Sequence, residues 1–199
     1  CLVGSEMCIR DRMNYEEVED LIEFAINLGA HQFNAFNFIP TGRGRHLLEE
    51  DLTPRQREDL LRSLYQHIHG GKITILSTAP QLGRVCLQLQ RSELDRIAIG
   101  HGGTAPGEDV KIYTEYLGGC GSGRCYCAIQ PNGKVTPCVF MPLVVGDLRR
   151  QKFMDIWENT PEFARLSNRE ERTDSCRICK FRYHCGGCRA RAYNYTGDL

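Results

Sequence analysis

The stretch CRICKFRYHCGGC, residues 176–188, sets four cysteines in the spacing C-x2-C-x5-C-x2-C. Two cysteines two residues apart on a tight loop present both sulfurs to one site, and thiolate is the ligand that holds cluster iron. Upstream lie Cys120, Cys127 and Cys138. Together with Cys176, Cys179, Cys185 and Cys188 they read as iron–sulfur ligands.

Working outward, CAIQPNGKVTPC at 127–138 contains Asn132-Gly133, a strong signal for a two-residue hairpin loop. With those two residues as the loop, Gln130 faces Val135, Ile129 faces Thr136 and Cys127 faces Cys138. Directly opposed Cβ atoms lie about 4.5–5.5 Å apart, so Cys127 and Cys138 would converge on one site. Cys125 lies one step further along the same face and is the weaker candidate. Cys120 sits in the loop GGCGSG, flexible enough to reach back toward the pair. Zinc competes for this reading, since short C-x2-C pairs also build ribbons and knuckles. A Cys127–Cys138 disulfide is geometrically feasible but belongs to an oxidising compartment. The only histidine within the second run is His184, beside Cys185, and two all-thiolate groups suit paired clusters.

Residues 1–12, CLVGSEMCIRDR, resemble a translated transposon-based sequencing adapter, so Cys1 and Cys8 are set aside and native sequence is expected from near Met13. The remainder has about one domain's length, or one piece of a larger fold with a cysteine-rich extension. Lys plus Arg and Asp plus Glu number 25 each, which gives no basic footprint for nucleic acid or an anionic membrane. No apolar stretch approaches the roughly 18 residues of a membrane span. Cys86 is isolated and the trimmed cysteine count is odd, which fits a reducing, cytoplasmic setting better than a disulfide scaffold.

Between Met13 and the cysteines the pattern is α/β. Asn14 and Glu17 suggest a capped start for a helix with Val18, Leu21, Ile22 and Ala25 on one face, closed by Gly29. HQFNAFNFIP reads as a buried strand over 31–39, stopped by Pro40. Thr53, Pro54 and Gln56 announce a second helix with a capping box and the stripe Leu60, Leu61, Leu64 and Ile68, ended by Gly70 and Gly71. A strand over 72–77 follows, so the order is helix, strand, helix, strand, as in a parallel sheet or partial barrel. HGGTAPGED at 101–109 reads as a loop separating the two parts, with His101 more simply exposed than a ligand. Trp157 and Phe163 are expected to pack beneath the cysteine loops.

These residues resemble the radical S-adenosylmethionine enzymes that carry a C-terminal SPASM domain. Cys120, Gly133 and Cys138 match the first part of the family pattern, and Cys176, Cys179 and Cys185 the second. Cys188 follows after two residues instead of three, as in a subset with the run GCRARAY. The fold this implies is the C-terminal part of a partial (β/α)6 barrel over 13–107, followed by a small cysteine-rich domain over 108–199 with a β-hairpin and short helices. The resemblance implies two auxiliary 4Fe-4S clusters: Cys120, Cys127, Cys138 and Cys188 on the one nearer the substrate, and Cys176, Cys179 and Cys185 on the outer one, whose last ligand lies beyond Leu199. The catalytic cluster's C-x3-C-x2-C loop is absent and is expected upstream of Met13, so these residues alone would be inactive. NFIPTGRG at 37–44 looks like the end of a barrel strand and its loop, which places Asn37, Thr41, Gly42 and Arg43 near S-adenosylmethionine or substrate. The implied activity is modification of a peptide or of a haem-type tetrapyrrole by a 5′-deoxyadenosyl radical, with a ferredoxin- or flavodoxin-type reductant. A zinc-stabilised interaction module is the alternative.

Overall fold

The computed structural model describes residues 14–90 and 119–199, with the backbone of 5–10, 96–98 and 104–106. Ser5–Arg10 forms β1, Gln32–Asn37 β2 and Thr74–Ser77 β3, in a sheet of order β1-β2-β3 with both pairings parallel. Thus the stretch that resembles an adapter runs alongside β2, with Ser5 opposite Gln32 and Arg10 opposite Asn37.

Helix α1 spans Val18–Asn27, but Asn14 does not cap it. Glu17 occupies the N-cap without a side-chain bond, and the Asn14 carbonyl accepts the Glu17 N–H at 3.2 Å in a preceding turn. The far end follows the pattern expected from Gly29: at φ 73° it donates to the Ile26 carbonyl while Ala30 donates to that of Ala25, which satisfies two orphan carbonyls. Helix α2, Pro54–Gly70, carries the full Thr53–Gln56 capping box and ends on Gly71 in the left-handed region. Helix α3 is Gln81–Leu89. Phe33 and Ala35 alternate inward on β2, and Ile22, Leu61, Leu64, Ile75, Leu82 and Cys86 close the core around them. Cys86 is therefore a packed core residue.

Within the stretch read as a separating loop, Thr104–Pro106 forms strand β5, antiparallel to β4 at Arg96–Ala98. A three-residue strand ending on proline is compatible with a sheet edge, where no further donor is required. His101 and the 107/108 boundary lie outside the described residues.

The cysteine-rich part is built on β6 (Ala128–Ile129), β7 (Lys134–Thr136) and β8 (Gly146–Asp147), all antiparallel. Its register differs from the two-residue expectation. Ile129 faces Val135 and Ala128 faces Thr136, because the loop holds three residues, Pro131, Asn132 and Gly133. Gln130 donates to the Lys134 carbonyl at 2.8 Å, and Gly133, at φ 76°, donates to that of Gln130 at 2.9 Å. Proline favours the first corner of a type I turn, and glycine then supplies the left-handed residue that turn needs in a three-residue hairpin. Cys127 and Cys138 consequently do not oppose one another.

Helices α4 (Phe153–Asn159), α5 (Pro161–Ser167), α6 (Asp174–Arg177) and α7 (Arg189–Thr196) complete this part. Its core joins Val135, Met141, Ile156 and Leu166 to Cys138 and Cys188. Phe163 belongs to that core, with Trp157 against it at 5.1 Å between ring centroids, so both pack beneath the cysteines as expected. No helix among the described residues is long and apolar enough to cross a membrane.

Candidate metal centre

Helix α7 begins directly after Cys188 and fixes that thiol against the α/β part. Arg191 donates to the Phe38 carbonyl at 3.1 Å and to the buried Asp51 carboxylate. Arg57 on α2 bonds Asp51 at 2.5 Å and also reaches the Asn37 side-chain oxygen, while the Tyr195 hydroxyl donates to Asp51. The end of β2 and the start of α7 are thereby tied through one carboxylate.

Beside this tie, Cys120, Cys138 and Cys188 line one cavity of about 270 Å³ whose far wall includes Ile39 and Thr78, just past the carboxyl ends of β2 and β3. Parallel α/β sheets bind their ligands at that end. The GGCGSG loop makes this possible. The Gly121 carbonyl accepts N–H groups from Arg124, Cys125 and Tyr126, coiling the chain so that Cys120 and Tyr126 face the cavity while Cys125 stays exposed. The Tyr126 hydroxyl donates to Cys138 Sγ at 3.7 Å. Cys127 packs against the core that holds Cys138 and Cys188 but stands outside the cavity lining. Burial raises the Cys138 thiol above its ordinary range, and burial, followed by the neighbouring Cys120, pushes Cys188 up to about 12. These protons must leave when metal binds.

A second set comprises Cys176 on α6, Cys179 in the turn after it and the buried Cys185. Cys179 N–H donates to the Cys176 carbonyl at 3.4 Å, and Gly187 N–H to Cys185 Sγ at 3.4 Å. Burial pushes Cys185 up to about 11, opposed by that N–H and by the Arg84 charge on α3. His184 is half-buried, and burial lowers its pKa. Among the described residues no three Cys, His, Asp or Glu side chains converge as a single ion requires. The first cavity, apolar and walled by three thiols with the Tyr126 hydroxyl aimed at Cys138 Sγ, suits a four-iron cluster.

In the α/β part, Asn37 ends β2, and its N–H donates to the Thr78 hydroxyl at 2.8 Å. Thr41 precedes a 3-10 stretch, Gly42–Glu50, with Gly42 at φ 54°; Gly42 and Arg43 are exposed. Sequence reasoning missed Tyr126, whose inward turn depends on the Gly121 coil, and the Asp51 network, whose partners lie far apart along the chain.

Residues 120–180 match the SPASM iron–sulfur cluster-binding domain. The AdoMet-dependent heme synthase of Methanosarcina barkeri is 35% identical over 188 residues, which are 94% of this chain and 51% of that protein. The PqqA peptide cyclase of Granulibacter bethesdensis is 32% identical over 84 residues, 40% of this chain and 22% of that one. SuiB of Streptococcus suis, in its structure bound to S-adenosylmethionine, shares the fold with a TM-score of 0.61 at 16% identity, over 94% of this chain and 41% of SuiB. The chain thus spans about half the length of the heme synthase. The chain therefore carries a SPASM-type iron–sulfur cluster-binding domain over residues 120–180, behind an α/β part that is similar in sequence to the AdoMet-dependent heme synthase and in fold to SuiB.

Proposed function

We propose that these residues hold two auxiliary 4Fe-4S clusters in a maturase of the haem-synthesis type. The observation that carries the reading is the division of the thiols into two sets, one of which opens onto the carboxyl ends of β2 and β3. Cys120, Cys138 and Cys188 hold the inner cluster, with Cys127 as the fourth thiolate from the adjoining core. Cys176, Cys179 and Cys185 hold the outer one. Bound there, the clusters supply one-electron transfer beside the substrate.

The protein's own side chains shape the surroundings. Ile39 and the exposed Val139 and Phe140 give the inner cavity an apolar rim. Asn37, Thr41, Gly42 and Arg43 stand at the strand end, where they bind S-adenosylmethionine or the substrate. The heme synthase resemblance, spanning nearly the whole chain, favours a tetrapyrrole substrate. The shorter match to the PqqA peptide cyclase supports a peptide as the second reading. A ferredoxin- or flavodoxin-type protein would supply the electrons.

Anaerobic reconstitution followed by iron, sulfide and zinc analysis tests the reading. About eight irons with matching sulfide are expected from two four-iron clusters. Zinc without sulfide would replace it with a structural module.

A further inference from the structure

Arg189 is 5% exposed and follows Cys188 of the inner set, yet its guanidinium reaches the outer set, with Nη2 4.0 Å from Cys176 Sγ. Its path crosses Gly187, at φ +64°. A Cβ there would lie 2.7 Å from Arg189 Nη2 and 3.6 Å from Cys176 Sγ, so the glycine leaves the space the guanidinium occupies. Arg172, 4% exposed, is a second buried cation in the same region; its Nη2 donates to the Leu166 carbonyl at 2.6 Å. Among the described residues neither arginine's Nε has a hydrogen-bond partner.

A buried guanidinium costs several kcal/mol unless an opposite charge faces it. The Cys176 sulfur beside Arg189 can carry that charge as a thiolate. The Arg172 pKa, lowered to about 10 first by burial and then by Arg189, is held up in part by Cys120 and Cys176. Reduction of a cluster adds one negative charge, and a fixed cation beside its ligand stabilises the reduced state more than the oxidised one.

We infer that Arg189 is a counter-charge of the outer cluster, a positioning residue that holds Cys176 in place and keeps that cluster's reduction potential high. The inference rests on the two-cluster reading above and adds a residue that links the inner run to the outer site.

The test is an electron paramagnetic resonance redox titration of the anaerobically reconstituted full chain and its R189Q, R189K and R177Q variants, with iron and sulfide counted in each. R189Q is expected to keep both clusters while one becomes harder to reduce. At a fixed potential its oxidised-to-reduced ratio should rise about tenfold, which is about 59 mV for one electron. R189K, which keeps the charge, should recover most of that shift, and R177Q, at an exposed position, should show none. Unaltered potentials in R189Q with iron retained overturn the inference and leave the cluster reading intact. An equal shift in R177Q also overturns it, since bulk charge would then suffice. If R189Q sheds iron, R189K decides: both clusters retained at wild-type potential support the inference, and equal iron loss overturns it. Zinc without sulfide in the wild-type chain removes both the cluster reading and the inference.

Discussion

Gly119 and Cys185 meet backbone to backbone: a Cβ on Gly119 would lie 2.6 Å from the Cys185 carbonyl oxygen and 2.9 Å from its carbonyl carbon. Gly119 precedes Cys120 of the inner set and Cys185 belongs to the outer, so this contact sets how closely the two thiol groups approach. Gly119→Ala therefore meets two obstacles, a backbone that cannot swing aside and a φ of +75° that side chains resist. The expected loss is about 2 kcal/mol, or about 4–8 °C in Tm for a chain of this size. Thermal unfolding of the reconstituted protein checks it; a Tm within a degree of wild type would mean that the two runs move apart freely.

The two thiol sets should lose iron independently. Cys185→Ala is expected to remove about four of about eight irons and leave the inner cluster's spectrum, whereas Cys127→Ala should do the converse. Cys125→Ala, at an exposed turn position, should retain the full count. Iron and sulfide analysis with electron paramagnetic resonance separates the three. A full complement in Cys127→Ala would assign the fourth inner position to another residue.

Local chemistry made part of this architecture readable. The Thr53–Gln56 capping box, the Gly29 and Gly71 helix ends and the strand ahead of Pro40 are decided within a few residues, and each appears in the fold. The hairpin shows where such reading stops. Asn132-Gly133 correctly marks the turn, but Pro131 takes a corner of it and shifts the register by one residue, which separates Cys127 from Cys138. Asn14 loses its capping role because a preceding turn uses its backbone. Tyr126 and the Asp51 network were illegible for another reason: Asp51 and Arg191 lie 140 residues apart, and no periodicity encodes such a meeting.

Gly133 gives a direct check on the revised turn. Its φ of 76° is the left-handed residue that a three-residue loop requires, and a Cβ would come within 3.2 Å of the Arg149 side chain, which is exposed and able to give way. Gly133→Ala should therefore cost about 1 kcal/mol, chiefly backbone strain, without loss of iron. A urea midpoint shift with unaltered iron content is the expected result. Gly133→Asn should recover part of the loss, because asparagine tolerates the left-handed region.

Asp51 supplies the pH dependence of the junction. Burial raises its pKa, but hydrogen bonds from Arg191 and Tyr195 and the charges of Arg191 and Arg57 outweigh burial and hold the carboxyl below its usual 3.8. A carboxylate depressed in the fold contributes stability that is fully present above its unfolded value and is lost as pH falls through the lower folded one. Asp51→Asn leaves two guanidinium groups facing a neutral amide and should destabilise the protein by about 3 kcal/mol at pH 7. Urea denaturation of both proteins at pH 7, 5 and 3.5 should show the same gap at the first two values and a narrower one at the third. A gap already closing between pH 7 and 5 would show that Asp51 binds its proton near neutrality, which the two arginines oppose.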